Sequence, residues 1–363
     1  MEDFAERFPV FHHHFSQLKL NRYVFTFVYH LNTNNAPFLE YWVRQTNTLA
    51  VISIPYSEIV EVKKRLKRLI RVFSPQNFNE ISRYIKKIND AHTKKNIILV
   101  EIGGYSSTIS QKLHNVILAV EDTNYGHWAH IKKGGRNFPV VSMAQAQVKM
   151  LENRLIGESI IRTVENIINE VLSNERLANK TIAVIGYGGI GSSVCLALRR
   201  RNIIPYVYDI DPYKAALAHA DSYKIAPRQG VLQIADIVLG CTGKHSVMVK
   251  DGHLIKKGAF LFSGSSKKVE FSSLLQLEKE PTRHSVIEKY KFEQNYFYIA
   301  YNGQPINFLD TLQPELFDIQ FAALTQCVKY GLEKKLSNAV HPLPYTYQTS
   351  ILNSYIQNNY SKR

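Results

Sequence analysis

Two hydrophobic periods alternate along this chain, and they mark out its elements. Residues 20–30 are dense in β-branched and aromatic side chains and predict a strand. A helix is expected over Ala36–Gln45, then an apolar strand over Leu49–Ile54. Apolar positions at Val62, Leu66, Leu69, Ile70 and Phe73 recur at helical spacing, so Ser57–Val72 reads as a core-facing helix with a basic back. A further helix is expected over Asn77–His92. Asn96–Glu101 then reads as a buried strand ending in Gly103-Gly104, followed by another helix and a short strand at Val116–Glu121. Strands alternating with helices imply a parallel, doubly wound α/β sheet.

Met143–Arg176 carries a long helical periodicity through Leu151, Leu155, Ile160, Val164 and Ile168. A second αβ pattern begins at Asn179 and runs to about Leu275, with a less regular stretch continuing to Asn302. Asp318–Leu332 reads as a helix returning to the first domain. The tail from Ser337 is polar, rich in Tyr and Asn, and is expected to add little to a core.

Thr181-Ile-Ala-Val-Ile-Gly186-Tyr-Gly188-Gly-Ile-Gly191 places a GxGxxG run between a buried strand and a helix expected over Ser192–Arg201. Gly186 suits the tight turn, Gly188 the approach of a pyrophosphate, and Gly191 the packing of helix on strand. The helix N-terminus offers free N–H groups and partial positive charge to phosphate. The next strand, Ile203–Tyr208, ends at Asp209, about 20 residues on, where a carboxylate accepts from the ribose 2′-hydroxyl and repels a 2′-phosphate. Ile210-Asp211-Pro212 adds negative charge and no Arg, so the cofactor expected is NAD. Two further strands, Ala235–Leu239 and Ala259–Phe262, end in the small residues Gly240-Cys241-Thr242-Gly243 and Ser263-Gly264-Ser265.

Composition changes this picture little. At 363 residues with 45% apolar content the chain can bury two cores. Its charge of +15 is scattered, so nucleic acid is the less favoured partner. Cys195, Cys241 and Cys327 form no metal or disulfide pattern, and His12-His13-His14 has no Cys or carboxylate partner, so no metal is expected. An acidic start without a long apolar run leads us to expect a cytoplasmic protein with no membrane segment.

Several segments together resemble the S-adenosylhomocysteine hydrolase family. Val120-Glu121-Asp122-Thr123-Asn124-Tyr125-Gly126 is similar to its EETTTG, Asp209-Ile-Asp-Pro212 to its EIDP, and Gly303-Gln-Pro-Ile-Asn307-Phe to its GRLVNL. Leu99–Gly104 and Val340-His-Pro-Leu-Pro344 echo its DDGG and VHFLP segments. The resemblance implies two doubly wound Rossmann-like domains, the NAD-binding one inserted into a split substrate domain. The bounds expected are 1–150 with about 310–345 for the substrate domain, 151–309 for the NAD domain, and 346–363 for a polar C-terminal tail. It also implies cofactor contacts at Thr123, Asn124, Tyr125, Asn153, Gly186, Gly188, Gly191, Asp209, Thr242, Gly264 and Asn307. In that family NAD+ takes a hydride from the ribose 3′-carbon, thiol is eliminated, water adds, and the hydride returns.

The chain departs from the family where acid and base groups are needed. A family His falls on Ser265, another in Leu312-Gln313-Pro314, and none occurs around Ile52–Val60; Ile102 stands at the second Asp of DDGG. Glu121 or Asp122 stands at the active-site glutamate. Lys149 matches the catalytic Lys if a short deletion follows it; without a gap that position is Val148. His127 and His130 are loop residues of the kind usually found at the surface. The catalytic candidates are therefore Lys149, Asp122 and Glu121. The activity expected is NAD-dependent hydride abstraction from a secondary alcohol of a nucleoside-like or other small substrate, in a chain departing from authentic S-adenosylhomocysteine hydrolysis. The competing expectation is a catalytically silent NAD- or adenosyl-binding protein. The family's long C-terminal tail has no clear counterpart, which leaves room for a homodimer.

Overall fold

The computed structural model describes residues 2–172, 175–265, 268–307 and 314–360. The chain divides into two compact units, one of residues 1–151 with 313–363 and one of residues 152–312.

The first unit is built on β1 (Val24–Tyr29), β2 (Thr48–Ser53), β3 (Val72–Phe73), β4 (Ile97–Glu101), β5 (Val116–Glu121) and β6 (Val140–Ser142). A strand from the far end of the chain, Val340–Pro342, pairs with β6, and the sheet then runs β6-β5-β4-β1-β2-β3, parallel throughout. The order reverses direction between β4 and β1, the position at whose carboxyl ends doubly wound sheets commonly place a ligand. All six positions of β1 are buried, as a strand covered on both faces requires. Helix Ala36–Gln45 buries Phe38, Leu39 and Trp42 against it. Phe38 stacks on Phe321 of helix Pro314–Glu333 at 3.6 Å between ring centroids. That helix also ties down the N-terminal segment. The Asp318 carboxylate accepts from the backbone amides of Val10 and Phe11 at 3.1 and 2.7 Å, satisfying two of the free N–H groups of helix Pro9–Ser16.

The second unit holds β7 (Ile182–Ile185), β8 (Tyr206–Tyr208), β9 (Lys224–Ile225), β10 (Ile237–Gly240), β11 (Phe260–Ser263), β12 (Lys279–Pro281), β13 (Ile287–Phe292) and β14 (Asn295–Ala300). Its sheet runs β12-β13-β14-β11-β10-β7-β8-β9. Pairing is parallel except within β12-β13-β14. From β9 to β14 the order is that of a dinucleotide fold, with its reversal between β7 and β10. Ala183, Ile185, Val238, Leu261, Phe297 and Ile299 are among the residues of its core.

Several elements differ from the sequence expectation. The basic helix is confined to Val60–Lys67, burying Val62 and Leu66, and Val72 belongs to an edge strand beside β2. The segment after Gly104 is a 3₁₀ helix, Tyr105–Lys112, and an unanticipated helix spans Asn124–Lys133. The irregular stretch before Asn302 contains the β13–β14 hairpin, whose turn carries Glu293 at φ +52°. The tail expected to add little to a core forms helix Tyr345–Tyr360, with Ile351 and Gln348 buried; Gln348 accepts from the Gln147 amide at 2.7 Å. Leu312 and Gln313 lie outside the described residues.

Candidate functional site

In the second unit the glycine run follows β7 and opens helix Gly189–Arg199, slightly earlier than expected. Each fingerprint glycine meets a different demand. Gly186 sits at φ +100°, and a Cβ there would lie 2.8 Å from the Cys241 carbonyl oxygen. A Cβ on Gly191 would lie 1.8 Å from the Gly186 carbonyl oxygen, so the helix packs onto the turn only because that atom is missing. A Cβ on Gly188 would meet nothing within 4 Å, which leaves open space in front of the helix N-terminus. Asp209, at the end of β8, accepts from the Tyr187 amide at 2.6 Å and from the Asp211 amide at 2.9 Å. A carboxylate is thereby fixed beside the turn.

Of the other residues expected to touch the cofactor, Asn153, Thr242, Gly264 and Asn307 belong to this same unit and gather around the glycine turn and the ends of its strands. Asn153 packs on the glycine run, its Nδ2 2.5 Å from where a Cβ of Gly189 would be. Thr242 and Gly264 follow β10 and β11. Ile306 donates to the Ser263 carbonyl at 2.9 Å and draws the next residue, Asn307, alongside β11. Asn307 is buried and its Oδ1 has no hydrogen-bond partner among the described residues. A buried amide oxygen left this way calls for a donor, and the carboxamide of a nicotinamide supplies one. These residues fit a dinucleotide. A cavity of about 430 Å³ at the opposite, amino-terminal edge of the sheet, among Lys180, Asp236, Arg283 and Tyr298, touches none of them.

In the first unit, adjacent carboxyls at the end of β5 serve opposite ends. Glu121 is buried and turned into the loops. It accepts from the amides of Gly103, Gly104 and Thr123 at 3.2, 2.9 and 2.7 Å, and from Thr123 Oγ1 at 2.6 Å. Burial, reinforced by the charge of Glu101, pushes its carboxyl well above the usual range. Asp122 is buried too, but Lys149 Nζ donates to its Oδ1 at 2.7 Å. Gln320 Nε2 and Tyr29 Oη donate to its Oδ2 at 2.6 and 3.1 Å. Burial opposes ionisation of Asp122; the Lys149 charge and these donors outweigh it and hold the carboxyl below its ordinary range. Environments that drive neighbouring carboxyls apart are how one site obtains two protonation states.

His127 and His130, expected at the surface, are buried. His130 Nε2 lies 2.9 Å from Glu101, and His127 Nδ1 lies 3.0 Å from Ser142 Oγ. Glu101, Glu121 and His130 bring ligand-type atoms within 4.8 Å of one another. Glu101 is already occupied by the Ser106 amide and hydroxyl, and Glu121 by four donors. We therefore read this cluster as a knot closing the β4 and β5 loops. Thr123 belongs to it: its hydroxyl accepts from the Gly126 amide and caps helix Asn124–Lys133. Asn124 Oδ1 accepts from Gln145, and Tyr125 is 61% exposed.

One residue escaped the sequence reading. His30 follows β1 at the carboxyl edge of the sheet, close enough to Asp122 to feel its charge, with Nδ1 2.5 Å from Ser57 Oγ. Burial lowers its pKa to about 4, so the imidazole is neutral at physiological pH. The signal was a titratable residue directly after a fully buried strand, at the point where strand order reverses. A search for histidine near residues 52–60 passes over it.

The second unit is thus a nucleotide-binding Rossmann module, and its cofactor is NAD. Residues 157–296 match the S-adenosyl-L-homocysteine hydrolase NAD-binding domain. The chain is similar to the S-inosyl-L-homocysteine hydrolase of Methanosarcina mazei, 26% identical over 66% of this chain and 60% of that protein. The S-inosyl-L-homocysteine hydrolase of Methanocaldococcus jannaschii is 27% identical over 65% and 59%, and the adenosylhomocysteinase of Thermococcus kodakarensis 25% over 69% and 63%. The chain is thus similar to the S-adenosyl-L-homocysteine hydrolase family, most plainly in the NAD-binding domain. It matches about three fifths of the length of these relatives. No helix among the described residues is long and apolar enough to cross a membrane.

Proposed function

We propose that the chain is an NAD-dependent enzyme that abstracts hydride from a secondary alcohol of a nucleoside-like substrate. The observation that carries this reading is the grouping of Asp122, Lys149, Tyr29 and Gln320 near the neutral His30, at the carboxyl edge of a doubly wound sheet. When bound, NAD+ supplies the hydride acceptor. The residues of the chain handle the proton and the hydroxyl. A neutral imidazole can take a hydroxyl proton, and an ionised carboxylate paired with an ammonium can orient a diol. The cofactor would be held by Gly186, Gly188, Gly191, Asp209, Asn153, Thr242, Gly264 and Asn307. Contacts from Thr123, Asn124 and Tyr125 form part of the same proposal, with the Thr123 hydroxyl already engaged as a helix cap. The first unit, residues 1–151 with 313–363, serves as the substrate side.

The S-inosyl- and S-adenosyl-homocysteine named for the relatives are the first substrates to try. Ser265 in place of the family histidine argues that thioether elimination is not the outcome. The competing reading is a silent NAD-binding protein. Its support is that three neighbouring donors already satisfy Asp122, as they would satisfy a purely structural carboxylate.

Purified protein is heat-denatured and assayed for released NAD(H), while intact protein is incubated with adenosine, inosine and the two thioethers. Bound NAD that becomes reduced with a nucleoside supports the enzyme. Bound NAD that none of them reduces favours the silent reading.

A further inference from the structure

The buried Glu270 carboxylate belongs to none of the motifs considered so far. Its Oε1 accepts from the Gly243 amide at 2.6 Å and its Oε2 from Thr242 Oγ1 at 2.8 Å, while Ser246 Oγ also donates to Oε2. Its own carbonyl accepts from the Ser246 amide at 3.0 Å. No cation neutralises it among the described residues; the loop leaving β10 wraps it with neutral donors instead. That strand ends in glycine for a steric reason. A Cβ on Gly240 would lie 2.3 Å from Ser246 Oγ and 2.9 Å from Glu270 Oε2. On its other side the same loop abuts the glycine turn, with Cys241 O and Thr242 Cα 2.8 and 3.1 Å from the Cβ position of Gly186. Glu270 therefore connects through Thr242 and Gly243 to the turn that receives the pyrophosphate.

We propose that Glu270 is a positioning residue for NAD, holding the Cys241–Ser246 loop against the Gly186 turn so that the cofactor edge is formed before the cofactor arrives. Without Glu270 the loop must be ordered at the expense of binding energy, and affinity falls. The role depends on hydrogen bonding rather than on charge, because the Thr242 and Ser246 hydroxyls can each reverse direction and accept. A glutamine can present its oxygen to Gly243 and its NH2 to the hydroxyls.

The test is NAD+ affinity by equilibrium dialysis on protein stripped of cofactor, read beside the melting temperature of the same NAD-free protein. Glu270→Ala is expected to weaken NAD+ binding at least about tenfold, and Glu270→Gln to restore it to within about threefold of the parent. Parent-like affinity in Glu270→Ala, or binding as weak in Glu270→Gln as in Glu270→Ala, overturns the proposal. If Glu270→Ala does not fold, Glu270→Asp decides, since its carboxylate falls one methylene short of Gly243. Loss comparable to that expected of alanine, in a protein melting like Glu270→Gln, supports the role; undiminished affinity overturns it.

Discussion

Lys149 Nζ donates to Asp122 Oδ1 at 2.7 Å, and the two side chains are only 14% and 4% exposed. The pair joins the end of β5 to the first turn of helix Val148–Val171. Removing one partner leaves the other charge buried, which costs far more than the net worth of an intact pair.

Lys149→Met should therefore destabilise the protein by about 3 kcal/mol, and Asp122→Asn with Lys149→Met by clearly less than the sum of the single changes. Urea unfolding of the four proteins in the cycle measures this. Additive losses would mean the two groups do not depend on each other.

Gly188→Ala and Gly191→Ala should fail in different ways. A methyl on Gly188 meets no protein atom, so folding and melting temperature should be those of the parent. That methyl occupies space a pyrophosphate needs, and NAD+ affinity should drop at least about tenfold. A methyl on Gly191 collides with backbone and should cost stability, on the order of 1–3 kcal/mol, with or without cofactor. Calorimetry of cofactor-free protein separates the two.

Asp209→Ser should exchange cofactor preference. If the Asp209 carboxylate is what repels a 2′-phosphate, the ratio of NADP+ to NAD+ affinity should rise at least about tenfold. Titration with both dinucleotides reads the ratio directly. An unchanged ratio would mean that another group sets the preference.

His14 gives the protein an acid-sensitive joint. It is buried between helices, with Nδ1 2.8 Å from Gln326 and Nε2 3.3 Å from Ser354. Burial, aided by the charges of His13 and Lys329, lowers its pKa from 6.5 to about 4. Between those two values the unfolded chain binds the proton and the folded chain does not. Stability should therefore decline as pH falls from about 6.5 toward 4, with no contribution from this group above that window. His14→Gln should flatten the decline of the urea midpoint across this interval. An unaltered profile would place the acid sensitivity elsewhere.

The parts of the structure legible in sequence are those whose physics is local. Strong apolar runs marked β1, β4 and β5 to within a few residues, and helix Ala36–Gln45 to its ends. The cofactor edge was legible because glycine demands are backbone demands: a φ of +100° or a missing Cβ leaves its mark on the residue itself. Helix Tyr345–Tyr360 left no such mark. Its Asn, Ser and Tyr residues are weak helix formers, and burial of Ile351 together with the Gln348 bonds holds it in place. The β13–β14 hairpin was hidden by lysines and by a non-glycine turn residue.

The amino-acid order alone pointed to the Rossmann unit and to NAD as its cofactor, since turn, helix start and Asp209 lie within one βαβ unit. The cluster around Asp122 was decided by tertiary structure. His30, Asp122, Lys149 and Gln320 come from four separate stretches, and their protonation depends on burial and on one another's charge. Glu121 and Asp122 are neighbours in sequence and nearly the same chemically. Only the fold, by burying one beside Glu101 and pairing the other with an ammonium, gives them opposite tendencies to ionise.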